Sequence, residues 1–139
     1  MDNAIESKSF QFAVRIVKLC RHLRDNRHET VLSRQLLRSG TSIGANVAEA
    51  QQAQSRPDFV AKLSISLKEA VETNYWLRLL KATDDLSESE YNSIITDCIE
   101  LEKNAYLNRQ NHKILRTMTT TVFNPPRQRI VNCQLSIVN

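Results

Sequence analysis

Apolar residues recur at intervals of three and four along four stretches of the chain, each bounded by a short polar turn, and this period predicts four amphipathic helices. The first runs from Lys8 to about Arg24 without a helix breaker and carries two apolar seams. Phe10, Ala13, Val14, Val17 and Cys20 share one side of the helical wheel, while Phe12, Ile16, Leu19 and Leu23 lie on nearly the opposite side. A surface helix of a monomeric bundle needs only one stripe, somewhat wider than about 100°. The second seam is therefore expected to meet another helix of the same domain or another protomer.

A second helix is predicted from near Thr30 to about Ala53, with Leu32, Leu36, Ser39, Ile43, Asn46/Val47 and Ala50 following heptad steps. Both glycines of the chain fall inside it. Gly40, Gly44 and Ala48 form a stripe four apart, and each glycine costs about 1 kcal/mol against alanine in a helix interior, so a tightly packed neighbour is expected there. Ser55-Arg56-Pro57-Asp58 reads as the start of a third helix that reaches about Ala82 through Phe59, Leu63, Leu67, Ala70/Val71, Leu77 and Leu80. Thr83-Asp84-Asp85 interrupts the pattern. Ser87 and Glu90 then form a capping box for a fourth helix, marked by Tyr91, Ile94/Ile95, Cys98, Leu101 and Ala105 and extending to about Leu115.

Short connections force neighbouring helices to be antiparallel, so the expected fold is all-α, an up-down-up-down antiparallel four-helix bundle over residues 1–118. Residues 119–139 are expected to form an extended or disordered C-terminal tail, since Thr117, Thr119, Thr120 and Thr121 disfavour helix and Pro125-Pro126 stops it. Only 2 Gly and 3 Pro in 139 residues supply too little turn-forming material for most β sandwiches and barrels. The three cysteines, at 20, 98 and 133, have no metal-ligand spacing and are read as reduced thiols of a cytoplasmic protein. No apolar run is long enough for a membrane span or a signal peptide.

The net charge of +4 gains meaning when it is divided along the chain. Residues 8–38 hold eight basic residues against Asp25 and Glu29, a net +6, whereas residues 39–112 carry seven basic and eleven acidic residues, a net −4. Lys8, Arg15, Lys18, Arg21, Arg24 and Arg27, on the first helix and the turn that follows it, thus form a candidate phosphate-attracting surface, with a solvated helix face as the alternative.

Catalytic chemistry finds little support. A carboxylate-bridged metal pair in a bundle needs Glu-x-x-His, which does not occur, and no cofactor or metal is expected. The three histidines have no nucleophile fixed beside them, and there is no glycine-rich phosphate loop. Asn46, Glu49, Glu69 and Glu72, polar residues inside the apolar stripes, are read with Arg38 as a buried structural network that fixes helix register. Tyr75-Trp76 continues a helical core pattern and is read as packing.

The segment LSRQLLRSGTSIGANVAEAQQAQSRPDFVAKLSISLKEAVETNYWLRLL resembles the signature of small bacterial four-helix-bundle proteins first noticed in ribosomal-RNA intervening sequences. The matching positions include Arg38-Ser39, Ser42-Ile43, Asn46-Val47-Ala48-Glu49, Lys68-Glu69-Ala70, Glu72-Thr73 and Tyr75-Trp76-Leu77, and the resemblance spans about residues 8–115. Ala50 stands where the family often has glycine. These proteins are similar to the accessory variability proteins of diversity-generating retroelements. That likeness implies a non-enzymatic homopentamer that binds nucleic acid, RNA above all, and associates with a reverse transcriptase. The alternative is a structural or protein-interaction module without a nucleic-acid role.

Overall fold

A computed structural model describes residues 3–123, which form four helices: α1 (Asn3–Arg27), α2 (Leu32–Gln51), α3 (Arg56–Ala82) and α4 (Glu88–Phe123). α1 packs on α2, α2 on α3 and α3 on α4, and α4 closes the bundle on α1 through a looser seam. Contacts from Lys8 to Glu100 and from His22 to Glu90 show that α1 and α4 run in opposite directions. The expected four-helix bundle is thus present, and none of the helices is long and apolar enough, among the described residues, to cross a membrane.

Local chemistry sets each helix end. α1 closes with the Glu29 N–H donating to the Leu23 carbonyl at 3.0 Å, a six-residue wrap that puts His28 in the left-handed region at φ 55°. The Glu29 carboxylate then caps α2, accepting from the backbone N–H groups of Val31, Leu32 and Ser33 at 3.0, 2.8 and 2.7 Å. Ser55 caps α3 by accepting from the Asp58 N–H at 3.2 Å. The Ser87/Glu90 capping box forms as expected: Glu90 N–H donates to Ser87 Oγ at 3.2 Å, and Ser87 N–H donates to the Glu90 carboxylate at 2.9 Å.

Three boundaries differ from the sequence pattern. α1 starts at Asn3, since Ile5 and Ser9 are buried two turns and one turn before the seam's Phe12. α2 starts two residues after Thr30, because Glu29 supplies the cap from outside the helix. α4 runs on through the threonine run to Phe123, across the boundary expected at residue 118. A threonine costs a helix only a few tenths of a kcal/mol, and the Thr117 hydroxyl donates back to the Lys113 carbonyl at 3.2 Å. The rest of the expected tail, residues 124–139, lies outside the described residues.

The core selects one of the two α1 seams. Phe12, Ile16 and Leu23 are fully enclosed with Leu36, Ile43, Leu77 and Cys98, whereas Phe10 is 69% exposed. Cys20 joins the buried group, because its position on the α2 side of the wheel is covered by α2, where its thiol donates to the Ser33 carbonyl at 3.3 Å. The glycine stripe of α2 meets α1 as expected. A Cβ on Gly40 would lie 2.8 Å from both Cγ atoms of Ile16, and one on Gly44 would lie 3.2 Å from the Ser9 carbonyl oxygen. Between α2 and α3 the fully buried polar contacts are short hydroxyls: Thr73 donates to Ser39 Oγ at 2.9 Å, and Ser66 donates to the Ile43 carbonyl at 3.0 Å.

Candidate nucleic-acid interface

Heptad spacing puts Lys8, Arg15 and His22 on one line along α1, facing the acidic line Glu90, Asp97 and Glu100 on α4. Lys8 pairs with Glu100. Arg15 donates to the Ser93 carbonyl at 3.0 Å and to Ser93 Oγ at 2.7 Å, and it also pairs with Asp97. Arg27 approaches Glu90 at 3.7 Å, and His22 Nε2 lies 3.2 Å from the same carboxylate. The Ser87 backbone N–H, followed by Arg27 and His22, holds the Glu90 carboxyl below its usual range against the opposing effect of burial. Three of the six candidate cations, Lys8, Arg15 and Arg27, are therefore engaged across the α1–α4 seam. Each such half-exposed pair adds at most about 1 kcal/mol.

Among the described residues Arg24 pairs with its neighbour Asp25, at 2.8 Å, on the open surface. Lys18 and Arg21 make no ion pair among the described residues, and neither does Arg34, which belongs to the +6 segment but was not among the six. Arg21, Arg24 and Arg34 line a cleft of about 400 Å³ at the end of the bundle where α1 turns into α2. The uncompensated positive charge thus gathers at one end of the α1–α2 pair.

The five residues read as one polar network separate into three arrangements. Arg38 bridges Glu72 and Glu69 on α3, the latter at 3.3 Å, and Trp76 Nε1 donates to Glu72 at 3.1 Å. The Arg38 hydrogen bond, aided by Trp76, keeps the Glu72 carboxyl below its usual range although burial pushes the other way. Glu49 pairs with Lys62 at 2.6 Å, and Asn46 donates to the Ser42 carbonyl of its own helix at 2.8 Å. All these side chains sit at the rim of the α2–α3 contact, outside the core, because their wheel positions flank the apolar stripe. Tyr75 also departs from its expected packing role. It is half exposed, with its ring 5.1 Å from that of Trp76, which does pack on the core.

The side rejected by the core forms a second surface. Phe10 and Ala13 of α1, with Thr41, Gly44, Ala45 and Ala48 of α2, line an open groove of about 660 Å³. None of the four described helices covers it. Among the described residues no cluster of His, Cys, Asp and Glu is placed to hold a metal ion.

Residues 1–107 match the family described as 23S rRNA-intervening sequence protein. The chain belongs to that family. A solved crystal structure of a protein of unknown function from the S23 ribosomal protein family of Bacteroides thetaiotaomicron VPI-5482 is similar at 53% identity, covering 73% of this chain and 94% of that one with a TM-score of 0.73. No curated protein matches. The 23S rRNA-intervening sequence family match includes α1, α2, α3 and the first half of α4, and so takes in the basic end and the open groove.

Proposed function

We propose that the chain is a non-enzymatic, cytoplasmic, homo-oligomeric bundle that binds RNA through the α1–α2 end. The observation carrying this reading is the division of the cations: Lys8, Arg15 and Arg27 have carboxylate partners, while among the described residues Lys18, Arg21 and Arg34 make no ion pair, and Arg21 and Arg34 line one cleft with Arg24. Such a cluster attracts a polyanion by counterion release and reads no base sequence. Family membership supports an RNA-related role. Two finer parts come from the resemblance, an assembly of five copies and a reverse transcriptase as partner.

The test is filter binding to single-stranded RNA across a salt series. The wild-type chain is expected to bind at low salt and weaken steeply with rising salt. Lys18→Gln with Arg34→Gln is expected to reduce affinity and flatten the salt slope by about 2, one unit for each phosphate no longer neutralised. Arg15→Gln, which removes a cation already engaged by Asp97, should leave affinity near the wild-type value. Absence of binding at low salt, or unchanged binding in the double variant, refutes the site. A protein-interaction module without RNA is the second reading, favoured by the exposed Phe10 seam. Recovery of the purified assembly with a protein partner and no nucleic acid would support it.

A further inference from the structure

We propose that the chain holds a second ligand site, separate from the α1–α2 end, which takes a nucleoside monophosphate, either free or as the 5′-terminal nucleotide of an RNA. Neither site requires the other.

The second site is a cleft of about 250 Å³ between the first turns of α3 and the later half of α4, lined by Arg56, Pro57, Val60, Ala61, His112 and Lys113. It lies by the α2–α3 turn, whereas the cleft of Arg21, Arg24 and Arg34 lies by the α1–α2 turn, so the 20 residues of α2 set the two roughly 30 Å apart. The family match ends at residue 107, before His112 and Lys113, so this cleft is only partly built from the stretch that defines the family.

Side chains give the cleft its charge. No carboxylate lines it. Among the described residues, Arg56 and Lys113 make no ion pair, and neither does Arg109, one turn before Lys113 on α4. Asp58, the acid of the first turn of α3, is engaged away from the cleft by the Gln54 N–H at 3.2 Å. The end of α3 itself offers little to an anion: the Asp58 and Phe59 N–H groups donate to Ser55, and Pro57 has none. A phosphate monoester, with up to two negative charges and three free oxygens, matches these cations better than a carboxylate with one charge. Arg109 Nε and His112 Nδ1 are also buried with no hydrogen-bond partner among the described residues, so this stretch of α4 keeps polar groups that the chain itself leaves unsatisfied.

The rest of the lining is apolar and flat. Pro57, Val60 and Ala61 form the α3 wall, and the His112 ring forms the α4 wall, packed on buried Phe59 with the ring centroids 4.2 Å apart. Drug-sized ligands occupy roughly 300–1,000 Å³, so this cleft takes a smaller body such as one nucleobase. A ring held against the core is a stacking surface for any base, and the cations at the rim then meet the phosphate.

Ligand-observed NMR titrations of the full chain at constant ionic strength carry the test, with AMP, adenosine and inorganic phosphate as probes. AMP is expected to bind about tenfold more tightly than either fragment, since only AMP fills both halves of the cleft. Arg56→Gln with Lys113→Gln should lower AMP affinity about tenfold and leave adenosine unchanged. Ala61→Phe, which fills the apolar wall, should weaken AMP and adenosine and spare inorganic phosphate. All three positions are exposed, and circular dichroism is expected to show both variants as helical as the wild type. Lys18→Gln with Arg34→Gln, at the other end, should leave AMP affinity at the wild-type value. AMP bound no better than adenosine, or an affinity that follows Lys18 and Arg34 instead of Arg56 and Lys113, overturns the site. Inorganic phosphate bound as tightly as AMP overturns the nucleotide reading. The source of the ligand is read by competition in the Lys18/Arg34 variant, where the first site is weakened. Displacement of AMP by a 5′-phosphorylated RNA at lower concentration than by its 5′-hydroxyl counterpart assigns the cleft to an RNA end, and equal behaviour of the two strands assigns it to the free nucleotide.

Discussion

Gly40 of α2 lies so close to Ile16 of α1 that a Cβ at Gly40 would sit 2.8 Å from both Cγ atoms of the isoleucine. Ile16 is fully buried and β-branched, so it has no free rotamer into which to retreat. Gly40→Ala gains up to about 1 kcal/mol of helix propensity but overpacks the core, which typically costs about 1–3 kcal/mol. The expected net result is a lower urea midpoint with an unchanged slope. Adding Ile16→Ala to Gly40→Ala should cost less than the sum of the two single changes, because the clash disappears with the side chain. A midpoint equal to or above wild type for Gly40→Ala would refute the close approach.

The buried Thr73 and Ser39 hydroxyls, 2.9 Å apart, form a second coupled pair across α2 and α3. Thr73→Val removes one hydroxyl with little change of shape and leaves Ser39 without that partner, a loss of about 1–2 kcal/mol. Ser39→Ala on the Thr73→Val background should cost little more. Full additivity of the two changes in a double-mutant cycle would show that the hydroxyls act independently.

Much of this architecture is written in residue spacing. The helix count, the Ser55 and Ser87/Glu90 caps and the tight crossing at Gly40 and Gly44 all follow from local pattern and simple sterics. The choice between the two seams of α1 does not, because Phe12 and Phe10 have the same chemistry and only the placement of α2 and α4 decides which is enclosed. The candidate site was legible in part. Counting charge found the +6 segment, but counting cannot show that Lys8 and Arg15 face Glu100 and Asp97. The heptad spacing of 8, 15 and 22 against 90, 97 and 100 held that signal. The structural network at Arg38, Glu69 and Glu72 was recognisable by composition, and its rim position emerged only once α2 and α3 were packed.

Glu29 gives a pH-dependent test of the α2 cap. Burial opposes its charge, but the backbone N–H groups of Leu32, Ser33 and Val31 together outweigh it and hold the carboxyl below its ordinary value of 4.5. The folded chain therefore binds the charged form better than the unfolded chain does. This contribution is full above the unfolded pKa and is lost as pH falls through the folded one. Glu29→Gln should cost about 1 kcal/mol at pH 7, the usual worth of a cap. The gap from wild type should close as urea midpoints are followed from pH 5 toward pH 3, and a gap that stays constant would contradict the ionised cap.

The two described cysteines should be inert in the native state for the opposite electrostatic reason. Burial first, then the nearby charge of Glu29, pushes the Cys20 thiol up to about 12; burial, with Glu102 and Asp97, does the same for Cys98. The thiolate is the reactive form, so iodoacetamide at pH 8.5 should leave both residues unmodified in the folded chain and label both in denaturant, read peptide by peptide by mass spectrometry. The folded pKa values are raised, so the stabilising contribution is complete below the unfolded value near 9.0 and is lost as pH rises toward 12. Cys20→Ala and Cys98→Ala should each lose packing yet flatten the fall in stability above pH 9. Rapid native labelling at either position would mean that the helix covering it, α2 for Cys20 or α3 for Cys98, opens far more often than the enclosed core around Ile16 and Leu77 predicts.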